Sequence, residues 1–137
     1  MVVILILLPA IGLYISTYFS LVYYGILPPD TRWIPSVCRM EKGACQLVIR
    51  HPDAKVFGVP NSLLAICYYT SVLALGLGVD FPIYVSIVEV ASWATVLLAV
   101  YLIYSLFFKV KVVCPLCLVS HAINLVLAIV ITFYPVI

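Results

Sequence analysis

The chain has 137 residues, 66% of them hydrophobic and only 9% charged, with a formal net charge of +2. A mean hydropathy of +1.29 excludes a water-soluble globule and places the chain in the membrane class. So small a positive charge, with no basic patch interleaved with aromatics, also excludes a nucleic-acid binder. The length predicts one domain over residues 1–137.

The first apolar run, residues 2–27, carries no charge. It lacks the basic start of a secretory leader and outruns a leader's apolar segment, so a retained helix is expected. Residues 28–60 are the one long polar stretch. They carry Asp30, Arg32, Arg39, Glu41, Lys42, Arg50, His51, Asp53 and Lys55 around Cys38 and Cys45. Trp33, close to Pro35, fits a piece of this loop lying at the membrane interface or packed on top of the helices.

The second run, residues 61–79, opens with Asn61 and contains Cys67. A lone cysteine among Leu64, Ala65, Ile66 and Tyr68 reads as a small core hydrophobe. Asp80-Phe81-Pro82 then makes a tight turn into the third run, residues 81–108. Glu89 is the one ionisable group deep in this run, and such groups are costly in lipid and face the bundle interior. Helical counting puts it near the membrane surface opposite the cysteines, so a structural carboxyl, protonated or bonded to a serine, is expected. Lys109-Val110-Lys111 is the last link, and the fourth run covers residues 113–134.

Each run is near or above the ~20 residues that cross a hydrocarbon core, and helices are the open-ended structures that satisfy their own backbone in lipid. The expected fold is therefore all-α: an integral-membrane bundle of four transmembrane helices. A long cysteine-containing loop joins the first helix to the second. Four spans put that loop on the same membrane face as the head of the fourth helix.

That head is Cys114-Pro115-Leu116-Cys117. Two thiols one turn apart can close and exchange a disulfide, and a helix N-terminus favours the attacking thiolate. Set at the lip of a membrane helix, such a dithiol can pass electrons to a lipid-soluble carrier. A structural disulfide is the plainer reading of the same pair. Cys38 and Cys45 are either a staple for a loop with little core or a shuttle pair exchanging with other thiols. A zinc cage of the four is disfavoured by the wide Cys38–Cys45 spacing, so no metal is expected. Asn61 is a helix N-cap and His121, one turn below Cys117, a bundle histidine unless a ligand claims them.

Together these residues resemble the vitamin K epoxide reductase (VKOR) family, in its archaeal or bacterial form, and more distantly the DsbB-type quinone oxidoreductases. The resemblance rests on an ordered set: Cys45 followed by Phe57-Gly58, then Asn61-Ser62 with Tyr69-Thr70 below it. Val100-Tyr101-Leu102, Leu106-Phe107-Phe108, Cys114-x-x-Cys117 and Ala122-Ile123-Asn124 complete it. It implies a membrane thiol oxidoreductase that couples disulfide formation in a thioredoxin-like partner, of the DsbA or PDI kind, to reduction of a membrane quinone such as menaquinone or ubiquinone. It further implies that Cys38 meets the partner, Cys45 relays to Cys114, and Cys117 faces the quinone. Asn61 and His121 then become donors to the quinone carbonyls, with Phe57, Ile49 and Leu118 as walls of the slot. Asn124 is expected to bond between helices.

His121 stands where vertebrate members usually carry tyrosine, and the stretch from Gly58 to Asn61 is shorter than theirs. These departures favour simple quinone reduction over reduction of vitamin K or its epoxide, which is the alternative within the enzyme class. Outside it stands a non-catalytic membrane bundle with structural disulfides.

All seven Lys and Arg residues lie on the cysteine face: Arg32, Arg39, Lys42, Arg50, Lys55, Lys109 and Lys111. Basic loops stay in the cytoplasm, so the charge pattern puts the cysteines there. The family's usual outer-face chemistry, periplasmic or extracellular, is the alternative. A cytoplasmic oxidase fits the disulfide-rich interior of hyperthermophiles.

Overall fold

The structure is a computed structural model that describes residues 2–26, 55–56, 59–105, 107–108 and 115–133. It contains helices α1 (Val2–Tyr23), α2 (Asn61–Gly76), α3 (Pro82–Ser105) and α4 (Pro115–Thr132). Between α1 and α2 the chain adds a two-stranded antiparallel ribbon, β1 (Lys55–Val56) with β2 (Val59–Pro60), in which Val56 pairs with Val59. The ribbon runs straight into α2. Trp33, Cys38, Cys45, Ile49, Phe57 and Cys114 lie outside the described residues.

α1 and α2 stop before their apolar runs do, and glycine is the reason. At the end of α1, Gly25 takes a φ of 75°; its N–H donates to Val22 O and that of Ile26 to Leu21 O. At the end of α2, Gly78 takes a φ of 109°, Gly78 N–H reaches Leu75 O, and Val79 N–H reaches Ala74 O. Both are the left-handed cap that glycine adopts without the steric cost a Cβ adds. Proline marks the other boundaries, opening α3 at Pro82 and α4 at Pro115, where its missing N–H costs nothing. With 22 and 24 residues, α1 and α3 are long and apolar enough to cross a membrane. At 16 residues, α2 is shorter than its apolar run.

Neighbouring helices run antiparallel, and α1 and α2 close tightly because small residues line their seam. Leu5 meets Gly76, Gly12 meets Tyr69, and the Ser20 hydroxyl donates to Ser62 Oγ at 3.0 Å. A Cβ on Gly76 would fall 2.6 Å from the Leu5 carbonyl oxygen. Pro9 cannot supply that carbonyl with its helical N–H, and the bare glycine lets the α2 backbone approach it instead. Close backbone approach of this kind drives helix association where lipid is as apolar as the side chains.

The core gathers Leu5, Tyr69, Val72, Leu75, Val88, Leu127 and Ile131, drawn from all four helices. Hydroxyl bonds stitch the pairs: Tyr68 OH to Ser92 Oγ at 2.9 Å, and Tyr84 OH to the Ser71 carbonyl at 2.7 Å. Trp93 Nε1 donates to Thr132 Oγ1 at 2.9 Å at the far end of α4. On the outside, Val90 and Leu97 are 71% and 74% exposed, an apolar skin suited to hydrocarbon and costly in water.

One expectation is corrected. Cys67 is exposed on the outer side of α2, not in the core. Tyr68, Tyr69, Val72 and Leu75 take the inward face, which turns Cys67 outward. Glu89 is half-buried, two turns into α3 from Pro82 and toward the end of the bundle away from Cys117.

Candidate functional site

Antiparallel packing brings the C-terminal ends of α1 and α3 and the N-terminal ends of α2 and α4 to one face. Asn61 heads α2 there, half-buried, directly after β2. Cys117 sits in the first turn of α4, also half-buried, where backbone N–H groups have no intrahelical acceptor. Its chain carries it onto the same helical face as His121, one turn deeper.

Below this turn, α3 and α4 part around a cavity of about 340 Å³. Leu118, His121, Ala122 and Leu125 line it from α4, and Val96, Ala99, Val100 and Ile103 from α3. Among the described residues, every lining side chain except His121 is aliphatic. His121 is half-buried and its Nδ1 is fully shielded from solvent. The helical wheel explains its place: at about 100° per residue, His121 falls between the core-facing stripe of Asn124 and Leu127 and the cavity-facing stripe of Leu118 and Leu125. It is the polar group at the border of an apolar slot, one turn from a cysteine. Such a slot suits a flat apolar ring that needs a hydrogen bond at its edge.

Asn124, two turns below Cys117, accepts a 2.6 Å hydrogen bond from Tyr69 OH. Tyr69 is only 1% exposed, and its ring fills the space beside Gly12, where a Cβ would fall 2.5 Å from Cζ. One side chain thereby joins α1, α2 and α4 beneath the site.

The match to known families decides what the arrangement belongs to. Residues 3–132 match the Vitamin K epoxide reductase family. The chain is a member of that family. No curated protein matches it. VKOR membership makes the chain a membrane-integral oxidoreductase, and the helical bundle is the family's architecture.

Of the residues singled out from this VKOR member's sequence, the structure brings Leu118 and His121 together on the cavity and sets Cys117 on the adjoining turn. Asn61 is on the same end of the bundle but does not line the cavity. Cys38, Cys45, Cys114, Phe57 and Ile49 lie outside the described residues. The α3 wall, Val96 to Ile103, had no signal in the sequence, being aliphatic within an aliphatic run. Tyr69 had one: a tyrosine in a membrane helix needs a partner for its hydroxyl, and Asn124 was the amide at matching depth.

Proposed function

We propose that this VKOR-family protein is a membrane thiol oxidase that takes electrons from a thioredoxin-like protein, of the DsbA or PDI kind, and delivers them to a membrane quinone. Its cysteines work as two pairs. The partner's dithiol reduces the Cys38–Cys45 disulfide through a mixed disulfide at Cys38. The Cys45 thiolate then attacks Cys114, which frees the Cys117 thiolate, and Cys38 attacks Cys45, restoring the loop disulfide and releasing the Cys114 thiol. Cys117 passes an electron pair to the quinone, which takes up two protons, and Cys114 closes the disulfide again. The sum is a partner disulfide and a hydroquinone formed from a partner dithiol and a quinone.

The observation that carries this reading is the stacking along α4. Cys117, His121 and the apolar cavity follow one another within two turns on a helix whose chain matches the VKOR family. His121 serves as hydrogen-bond donor to one quinone carbonyl, Asn61 as donor to the other, and Leu118 as wall, with Phe57 and Ile49 closing the slot from the loop. Menaquinone and ubiquinone both satisfy this chemistry. Because all the Lys and Arg residues flank the cysteine end, we assign that end to the cytoplasm, with the periplasmic or extracellular face as the competing topology.

Reconstituted protein tests the relay. Cys38→Ala is expected to stop oxidation of a thioredoxin-like protein while sparing oxidation of dithiothreitol, because a small thiol reaches the inner pair and a folded partner needs the loop. Equal loss with both reductants would overturn the shuttle order. A Cys117→Ala protein should accumulate a Cys45–Cys114 disulfide in non-reducing peptide maps, since the resolving thiol is gone.

A further inference from the structure

Tyr68 and Tyr69 stand side by side on α2, about 100° apart around its axis, and so reach different helices. Tyr68 OH donates to Ser92 Oγ on α3 at 2.9 Å. Ser92 in turn donates to the Val88 carbonyl at 2.7 Å, which fixes its hydroxyl. Tyr69 OH donates to Asn124 Oδ1 on α4 at 2.6 Å. Both rings are buried, and their centroids lie 5.3 Å apart. The helices they hold, α3 and α4, are the two walls of the cavity, although neither tyrosine lines it. Ser92 comes one turn before the lining residue Val96 on α3, and Asn124 sits between His121 and Leu125 on α4.

Walls of this kind need directional ties. Lipid is as apolar as the aliphatic side chains of both helices, so turning either one about its axis changes burial little, and hydrogen bonds must set the rotation. A side-chain tip about 5–6 Å from the axis moves about 1 Å for every 10° of turn. A shift of about 1 Å in a reacting group is enough to slow a reaction severely.

We propose that Tyr68 and Tyr69 are positioning residues for the quinone reaction. From one place on α2 they hold the α3 wall and the α4 wall at the spacing and rotation that present His121 to a bound ring. The assignment rests on the quinone reading above and adds two residues that act through the walls without touching the ring. Tyr68 sets the aliphatic wall through Ser92, and Tyr69 sets the imidazole through Asn124.

Steady-state kinetics of the purified protein tests the clamp, with dithiothreitol as reductant and menaquinone as acceptor. An interhelical hydrogen bond biases a rotation about three- to fivefold, and apparent affinity falls with the fraction of molecules left in the competent state. Tyr68→Phe and Tyr69→Phe are each expected to raise the KM for menaquinone about three- to fivefold. Both should keep kcat and the KM for dithiothreitol as in the parent. Tyr84→Phe removes a bond of the same kind, to the Ser71 carbonyl, about 18 Å along α3 from Val96, and should leave all three constants unmoved. In a His121→Ala background, Tyr69→Phe should add nothing to the KM for menaquinone, because the group it aims is gone. If Tyr69→Phe fails to fold, Asn124→Leu removes the acceptor of the same bond and is read in the same way. An unmoved KM in both tyrosine variants, or an equal rise from Tyr84→Phe, overturns the clamp and leaves the quinone reading standing. So does a Tyr69→Phe effect that persists in full without His121. A parent that reduces neither menaquinone nor ubiquinone overturns the quinone reading, and the clamp with it.

Discussion

The Tyr69 hydroxyl donates to Asn124 Oδ1 at 2.6 Å, so α2 holds α4 two turns below the cysteine that heads it. The bond is part-buried, and Tyr69 has no slack to replace it because its ring is wedged beside Gly12. Rotation of α4 about its axis would swing His121 away from the cavity. The Tyr69–Asn124 bond opposes that rotation.

Tyr69→Phe keeps the ring and removes the donor, leaving the Asn124 oxygen unpaired by Tyr69. Interhelical hydrogen bonds in membranes are worth about 0.6 kcal/mol on average and up to ~1.7. The expected loss is about 1 kcal/mol in a reversible unfolding titration in mixed micelles. Asn124→Leu with Tyr69→Phe should recover part of that loss, since neither polar partner is then left alone. Purely additive losses would show that the two residues do not act through each other.

Gly12 and Gly76 should respond differently to alanine although both seams are tight. At Gly12 the new methyl meets the far end of the Tyr69 side chain, which can shift only by giving up Asn124. At Gly76 it meets the backbone carbonyl of Leu5, which cannot move without displacing α1. Overpacking costs about 1–3 kcal/mol. Gly76→Ala is expected at the top of that range and Gly12→Ala lower, by the same unfolding measurement.

Cys67 faces outward, so Cys67→Ala should change stability by less than about 0.5 kcal/mol and leave turnover as in the parent. Cys67→Phe, which would overpack an interior site, should also stay within about 0.5 kcal/mol of the parent. A loss of about 1–3 kcal/mol would return Cys67 to the bundle interior.

These residues also show where reading the sequence reaches its end. The number and order of the helices were legible because apolar runs of that length leave no other fold in lipid. Their ends were not, since the runs continue past Gly25 and Gly78, and hydropathy does not register a left-handed cap. Nor was the rotation of each helix. A membrane helix is apolar on both faces, so Cys67 on α2 looked the same inside or outside. The cysteine at the head of α4 and the histidine one turn below it were visible from spacing alone. The cavity beside them was not, because its lining is aliphatic side chains of α3 and α4 within aliphatic runs and carries no chemical motif apart from His121.

Topology is open to a direct check. With the cysteine end in the cytoplasm, the α2–α3 turn lies outside. Asp80→Cys in a background without the other cysteines should then label in intact cells with a membrane-impermeant thiol reagent. A protein with Cys38 as its one cysteine should label after lysis only. The reverse pattern would place the chemistry on the outer face and show that the Lys and Arg count does not orient this chain.

Quinone consumption by the purified protein, with oxygen excluded and a dithiol as the sole reductant, goes to the heart of the proposed chemistry. One hydroquinone should appear for each disulfide formed, and Cys117→Ala should abolish both while His121→Ala raises the KM for quinone. If disulfides form without hydroquinone, or if Cys117→Ala turns over like the parent, the cysteine at the head of α4 is not the donor to a quinone.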